Sequence, residues 1–370
     1  MFNFPHRKEK PILSMQSMGG GAVGPLMGGA SPNVDASGGT ITELGSKTIH
    51  QFTSSGSFVI NDYNDPFKIE MVIIGGGGGG GARNTPPRPG AGGGAGGVAI
   101  DFFTYDIPPG TYTVTVGGGG YGGCDPKSSP PSPTYAWYEF RGQKGGDSRI
   151  DFPTAKASDI YGPQTPDFQP ANFAAQGGGY GAYGGTGGPG GSGGGGSSGP
   201  NGWNSPFFDA NGNGLWIPNS AGQTPTVHSN GKRGPWQGYS ASPVPENDME
   251  RGYFGCRGYK GGGGAGSNGL PQNKGGAGML LPSTFRGGDF GVPGNIADGS
   301  FPSPGNFVGG GGGGCGPPAG AGREGGGGAA NNGAGGNGTN GTGGGGGGGL
   351  PLGGTGGDGQ VLIAYSTTGD

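Results

Sequence analysis

Apolar residues in this chain come in short bursts, and most bursts run into glycine. Ile69-Glu70-Met71-Val72-Ile73-Ile74 is followed by seven consecutive glycines, Gly75 to Gly81. Tyr112-Thr113-Val114-Thr115-Val116 alternates apolar and polar positions and then enters Gly117 to Gly120. The order reverses at the end, where Gly356-Gly357-Asp358-Gly359 leads into Gln360-Val361-Leu362-Ile363-Ala364-Tyr365. Period-two alternation and short β-branched runs predict strands. No window sustains a 3.6-residue period, and Gly or Pro interrupts every candidate, so no α-helix is expected.

These signals divide the chain. Residues 1–40 carry a short basic patch (His6, Arg7, Lys8, Lys10), then Met-rich and glycine-rich sequence, and read as an extended attachment arm or a disordered terminus. Residues 41–116 form the β-rich base. Within it, Ile49–Thr53 and Ser57–Ile60 flank Ser54-Ser55-Gly56, the signature of a hairpin. Val98–Phe102 returns after the glycines, and Pro108-Pro109-Gly110 turns into the alternating strand. Residues 117–359 repeat glycine blocks at 117–123, 177–196, 261–266, 275–278, 309–316, 325–328 and 333–349. Residues 360–370 are a closing strand that returns to the base.

Composition changes the meaning of the glycine. There are 105 Gly and 34 Pro in 370 residues, more than a third of the chain. Such a load without a period normally signals low complexity. Uninterrupted runs such as Gly343 to Gly349 break any Gly-X-Y register, which excludes collagen. Ordering glycine costs about 1–2 kcal/mol per residue in backbone entropy. Only 29% of residues are hydrophobic, so side chains cannot offset it. Backbone hydrogen bonds can, at about 1 kcal/mol net each. Glycine in the polyproline II conformation has three residues per turn and no internal hydrogen bonds, and lacking Cβ it can bond to several neighbours. The strands are therefore expected to bracket a bundle of extended polyglycine helices. Most blocks would span roughly 20–60 Å at about 3.1 Å per residue.

Between the blocks lie two inserts of different character, 124–175 and 197–260, rich in Pro, Asn and aromatics. All four tryptophans fall there. Trp137, Tyr138, Trp203, Phe207, Trp216, Trp236, Tyr239 and Tyr253 are the candidate binding residues, because large rigid rings dominate recognition surfaces. The alternative is that they pin long loops onto a scaffold that has no side chains of its own. Asp209-x-Asn211-x-Asn213-Gly214 matches the first half of a calcium loop. Its twelfth position is Ser220, not Glu, and an Asn-Gly turn competes with that reading. Calcium is thus the one cofactor candidate.

Other chemistry is excluded or carries no signal. A net charge of −3 with 12% charged residues lacks the basic footprint of a nucleic-acid binder. Glycine fingerprints match trivially, and Gly231-Lys232 is followed by Arg233, so there is no phosphate-binding P-loop. His6, His50 and His228 lie far apart, and Cys124, Cys256 and Cys315 form no pair motif. His50 falls inside an expected strand, where a structural role is expected. No stretch approaches the length of a membrane span, and Met1 to Lys10 lacks the apolar core of a secretory leader. No catalytic constellation can be nominated, so a non-enzymatic role is expected. Asn337-Gly338-Thr339 and Asn340-Gly341-Thr342 are glycosylation sequons that matter only in a glycosylating host.

The order of features resembles a known family. It runs His50-x-Phe52, a Ser-Gly turn, Phe58-Val59-Ile60, and Met71-Val72-Ile73-Ile74 into polyglycine. Then come Gly92 to Val98, Pro109-Gly110-Thr111 into the alternating strand, Gly145-Gly146-Asp147-Ser148, Ala174-Ala175-Gln176-Gly177 and Gly357-Asp358-Gly359-Gln360. This resembles the glycine-rich domain family common among bacteriophage virion proteins, over about residues 41–370. The resemblance implies an all-β fold: a β-sandwich-like base packed with polyglycine II helices, with long irregular loops. It is similar in spirit to the tail-tip adhesins of T-even phages, though the inserts here are longer. It implies a structural virion protein of a tail fibre, tail tip or other exterior appendage. The arm would contact other virion proteins, the aromatic loops a host-surface glycan or protein, and the chain would work as a homo-oligomer or within a larger assembly. A self-assembling extracellular filament or matrix protein is the alternative reading. Ice binding is a third, against which the long aromatic inserts argue.

Overall fold

The computed structural model describes residues 34–63, 67–82, 90–105, 108–124, 140–151, 172–182, 187–188, 190–195, 207–208, 214–215, 261–265, 274–294, 305–314 and 319–366. The fold is all-β: antiparallel sheets, with no α-helix among the described residues. One five-stranded sheet joins β1 (Val34–Ser37), β4 (Gly56–Tyr63), β7 (Gly110–Thr115), β8 (Ser148–Asp151) and β9 (Asn172–Ala175), in that order. The second joins β2 (Thr40–Leu44), β3 (Lys47–Phe52), β15 (Gln360–Ser366), β5 (Phe67–Ile74) and β6 (Val98–Tyr105). The closing strand β15 therefore sits in the middle of a sheet, paired on one side with β3 and on the other with β5.

Side-chain alternation shows how these sheets pack. Ile69, Met71 and Ile73 of β5, with Val361, Ile363 and Tyr365 of β15, share one apolar cluster with Phe58, Ile60, Tyr112, Val114 and Ile150 of the first sheet. The intervening Val72, Ile74, Leu362 and Ala364 face the other way. There they meet Leu281, Phe285, Phe290 and Val308, from a segment between two glycine blocks. That segment contains β12 (Met279–Leu280), a 3-10 turn at Ser283–Phe285, β13 (Val292–Gly294) and β14 (Gly305–Val308), with the strands in a small sheet ordered β12-β14-β13. β5 and β15 are thus buried on both faces. This explains why they read as continuous apolar runs, whereas β7 alternates. The covering segment was not anticipated from the sequence.

Beyond the sheets, the strands continue as glycine segments, and the strand pairing continues with them. β5 and β6 are paired up to Ile74 and Val98. Gly75, Gly78 and Gly81 then donate to the carbonyls of Gly97, Gly94 and Ala91. Gly76, Gly79 and Ala82 donate instead to Gly146, Gln143 and Phe140, and Gly77 and Gly80 to Gly357 and Gly354. Every third residue turns to the same neighbour. The carbonyls do the same. Gly76 and Gly79 accept from Gly178 and Gly181, Gly77 and Gly80 from Gly120 and Gly123, and Gly78 and Gly81 from Gly346 and Gly349. Segment 75–82 is thus enclosed by six others, three antiparallel and three parallel.

Segments 90–97 and 343–349 are enclosed in the same way. The first bonds to 75–82, 176–182, 192–195, 263, 312 and 343–346. The second bonds to 75–81, 93–96, 310–313, 328–331, 336 and 354–358. Both sheets feed this lattice, because Gly76 of the β5 extension bonds to Gly146, which leads into β8 of the other sheet.

Close approach is what requires glycine here. A Cβ on Gly81 would lie 2.8 Å from the Ala182 carbonyl oxygen, and one on Gly79 would overlap the carbonyl of Tyr121.

Three expectations change. β3 and β4 do not form a hairpin; Thr53–Ser55 hands the chain from one sheet to the other, because both edges of β3 and both edges of β4 are paired with other strands. β1 begins at Val34, so the last residues assigned to the arm are part of a sheet. Base and bundle are not successive units either: segments 75–82 and 90–97, inside the expected base, form the centre of the lattice.

Candidate functional site

Register fixes which end of the bundle each segment reaches. Segments 75–82, 117–124 and 343–349 run away from the sheets, and isolated bridges join Ala82 to Gly349 and Cys124 to Leu352 at the far end. Phe140 is level with Ala82, and Ala182 accepts a bond from Ala91 and donates one to Gly195, so these residues also lie there. The chain returns at 261–265 toward the sheets, where Ala265 bonds to Gly309 and packs with Val98 and Ile74. The described residues that flank stretches 125–139 and 196–260 therefore lie toward the end remote from the sheets. These two stretches carry all eight aromatic candidates.

Trp137, Tyr138, Trp203, Trp216, Trp236, Tyr239 and Tyr253 lie outside the described residues, as do Asp209, Asn211 and Asn213 of the calcium-loop match. Phe207 is in β10 (Phe207–Phe208), which pairs with β11 (Gly214–Leu215) around that match. Among the described residues no three His, Cys, Asp or Glu side chains converge on a metal position. Among the described residues no helix is long and apolar enough to cross a membrane.

One flank of the lattice presents side chains at every third residue. Arg141, Lys144 and Asp147 form a row on one segment, Tyr121 stands on the next, Thr355 and Asp358 on a third, and Ala334, Asn337 and Asn340 on a fourth. Tyr121 is 44% exposed, and the Arg141 guanidinium lies over the Tyr180 ring, 5.3 Å from its centre. The Asx residues have a structural task. Outer segments lack a neighbour on one side, so their outward N–H groups need other acceptors. Asp358 Oδ1 accepts from Gly119, Asn337 Oδ1 from Thr355, Asn340 Oδ1 from Asp358 and Asp147 Oδ1 from Gly177. Both sequon asparagines are exposed and use their amide oxygens in this way.

Near the sheets, the flank borders an open cleft of about 500 Å³. Thr53, Asp289, Phe290, Thr339, Asn340 and Asp358 line it. Its floor is an amide chain in which Gln51 Nε2 donates to Gln360 Oε1, and the Gln360 amide nitrogen donates to the Phe290 carbonyl. Sequence reading missed this cleft, because its residues come from four separate segments that only the fold brings together.

His50 is fully buried on β3 beside that sheet's centre. Its Nδ1 lies 2.7 Å from the Gly38 carbonyl, which can only accept, so Nδ1 carries the proton. Nε2 then accepts from the Tyr365 hydroxyl at 3.1 Å. Burial lowers the His50 pKa and pushes that of Tyr365 up to about 12. A neutral imidazole locked in one tautomer inside an apolar cluster is a structural group, as the sequence led us to expect.

No curated protein matches the chain. The family profile described as a glycine-rich domain matches residues 53–366, from the start of the sheet-to-sheet turn through β15. Over most of its length, then, from its strands to its lattice, this chain belongs to the glycine-rich domain family.

Proposed function

We propose that this chain is a non-enzymatic structural protein of a bacteriophage virion, in a tail fibre, tail tip or other exterior appendage, and that its aromatic inserts bind the host surface. The observation that carries the reading is the common exit of the two aromatic stretches. A lattice fixed by backbone hydrogen bonds at three-residue intervals is a stiff mount, and loops carried by a rigid scaffold are where recognition concentrates. Cys124 and Gly195, after which the two stretches begin, lie toward the end remote from the sheets. The opposite end holds β1, whose start follows residues 1–33, the segment we assign to attachment within the particle. Polyglycine II geometry for the glycine segments, and a sandwich arrangement for the two five-stranded sheets, belong to the same reading.

Gold-labelled antibody against the chain tests it on purified phage particles. Labelling at a tail or surface appendage is expected, with loss of host attachment when residues 197–260 are deleted and the particle remains intact. Absence from purified particles overturns the virion assignment. Unchanged attachment by the deleted form overturns the adhesive role.

A further inference from the structure

The geometry points to the cleft beside Asp358 as a binding site for a neutral, polyhydroxylated ligand, a saccharide, at the sheet end of the lattice. It goes beyond the surface-binding reading above, because it places a saccharide contact at the end of the lattice opposite the aromatic inserts. The cleft volume of about 500 Å³ lies within the range of small-ligand pockets.

The hydrogen-bonding groups define the ligand class. Asn340 spends its amide oxygen on the Asp358 N–H, which leaves its NH2 group to donate. Asp358 spends one carboxylate oxygen on Gly119, which leaves the other to accept. Asp289 offers a second carboxylate, this one exposed, and Thr53 and Thr339 are exposed hydroxyl-bearing residues. Adjacent ligand hydroxyls can donate to the carboxylates and accept from the amide in one arrangement.

Other classes fit less well. No Lys, Arg or His is among the described lining residues, so two carboxylates would repel an anion. An apolar ligand would strip water from Asp289 and Asn340 without replacing their bonds. A metal lacks a third charged ligand. The Phe290 ring is buried in the core cluster, edge-on against Phe285 with centroids 6.2 Å apart, and so anchors the segment that carries Asp289. The Gln51–Gln360 amide pair is committed to its own bonds, so it holds the shape of the floor.

The test is ligand-observed NMR on the full chain with methyl glucoside, methyl galactoside and methyl N-acetylglucosaminide as separate probes. Glucuronate, calcium and putrescine are the competing classes. We expect one neutral glycoside to bind with a Kd on the order of 1 mM, weakened roughly tenfold by Asp289→Ala, which removes one charge-assisted bond. Asp289 makes no lattice bond, so thermal stability of that variant should be unchanged. Thr53→Val is a second exposed probe and should weaken the same glycoside.

The inference is overturned if no glycoside binds at about 50 mM, well above that expected Kd. It is also overturned if both variants bind as wild type does, or if glucuronate, calcium or putrescine binds in place of the neutral sugar. Particle labelling tests where the protein resides and glycoside titration tests the cleft, so the two readings can fail separately.

Discussion

Strand β5 and the glycine segment that continues it are one uninterrupted stretch of chain governed by different physics. In Ile69–Ile74 the side chains are the structure: they fill two apolar clusters, and stability scales with buried apolar volume. In Gly75–Ala82 the backbone is the structure. Each residue commits its N–H to one neighbour and most commit their carbonyl to another, and only Ala82 carries a Cβ. The first region is damaged by removing atoms, and the second by adding them.

The largest effect should follow from the smallest addition. Gly79→Ala places a methyl group on the Tyr121 carbonyl, with backbone on every side. We expect a loss of at least about 4 kcal/mol, beyond ordinary overpacking, or failure to fold. Chemical denaturation of soluble protein measures it. A cost near zero would dissolve the contrast between the regions.

Ile73→Ala is the complementary deletion. Ile73 is 1% exposed between the two large sheets, and its truncation should cost about 3–4 kcal/mol, read from the same denaturation curves.

The rim of the lattice should behave differently from its centre. Asp147→Ala removes the acceptor for the Gly177 N–H at 2.8 Å. Water can replace part of that bond, so a loss of about 1 kcal/mol is expected, together with faster exchange of the Gly177 amide. A loss as large as that of Gly79→Ala would show that rim and centre are equally unforgiving.

The sheet region also carries a pH dependence that the glycines lack. Burial holds the His50 pKa below its ordinary value of about 6.5, whereas the unfolded chain protonates there. The unfolded state therefore binds more protons as pH falls. The stabilising contribution is complete above about pH 6.5 and declines as pH drops from there toward the folded-state pKa. Midpoints measured between neutral and mildly acidic pH should fall, and His50→Leu should flatten that slope. An unchanged slope would remove His50 as its source.

The smallest effect is the control. A Cβ on Gly333 meets nothing within 4 Å, so Gly333→Ala should change stability by no more than about 0.5 kcal/mol. Equal damage from Gly333→Ala and Gly79→Ala would mean that glycine is needed for flexibility everywhere and not for close approach at the centre.

Much of this was legible in the chain. The bursts at Ile69–Ile74, Val98–Phe102, Thr111–Val116 and Gln360–Tyr365 are strands at or near those bounds, because local alternation and β-branching survive in isolation. The hairpin at Ser54-Ser55-Gly56 was misread for the opposite reason. A turn signal states that the chain reverses, not which strand it will pair with: β3 pairs with β2 and with β15, about 310–320 residues away, and β4 with β1 and with β7, about 50–60 residues away. The covering segment at 279–308 was missed because its apolar residues are dispersed among Gly and Pro and acquire meaning only against Val72 and Leu362.

By itself the sequence determined the material: β-strands too few to fill a large core, and a glycine load that only backbone hydrogen bonding could order. It also marked the aromatic inserts as distinct from the scaffold. Tertiary structure alone decided which glycines are central and which are marginal. Gly79 and Gly333 are the same residue type, yet one is enclosed by carbonyl groups and the other faces open space. Pairing among glycine segments carries no side-chain code. Its register is inherited from the strands that feed it, and it becomes specific only when those strands have found their sheets.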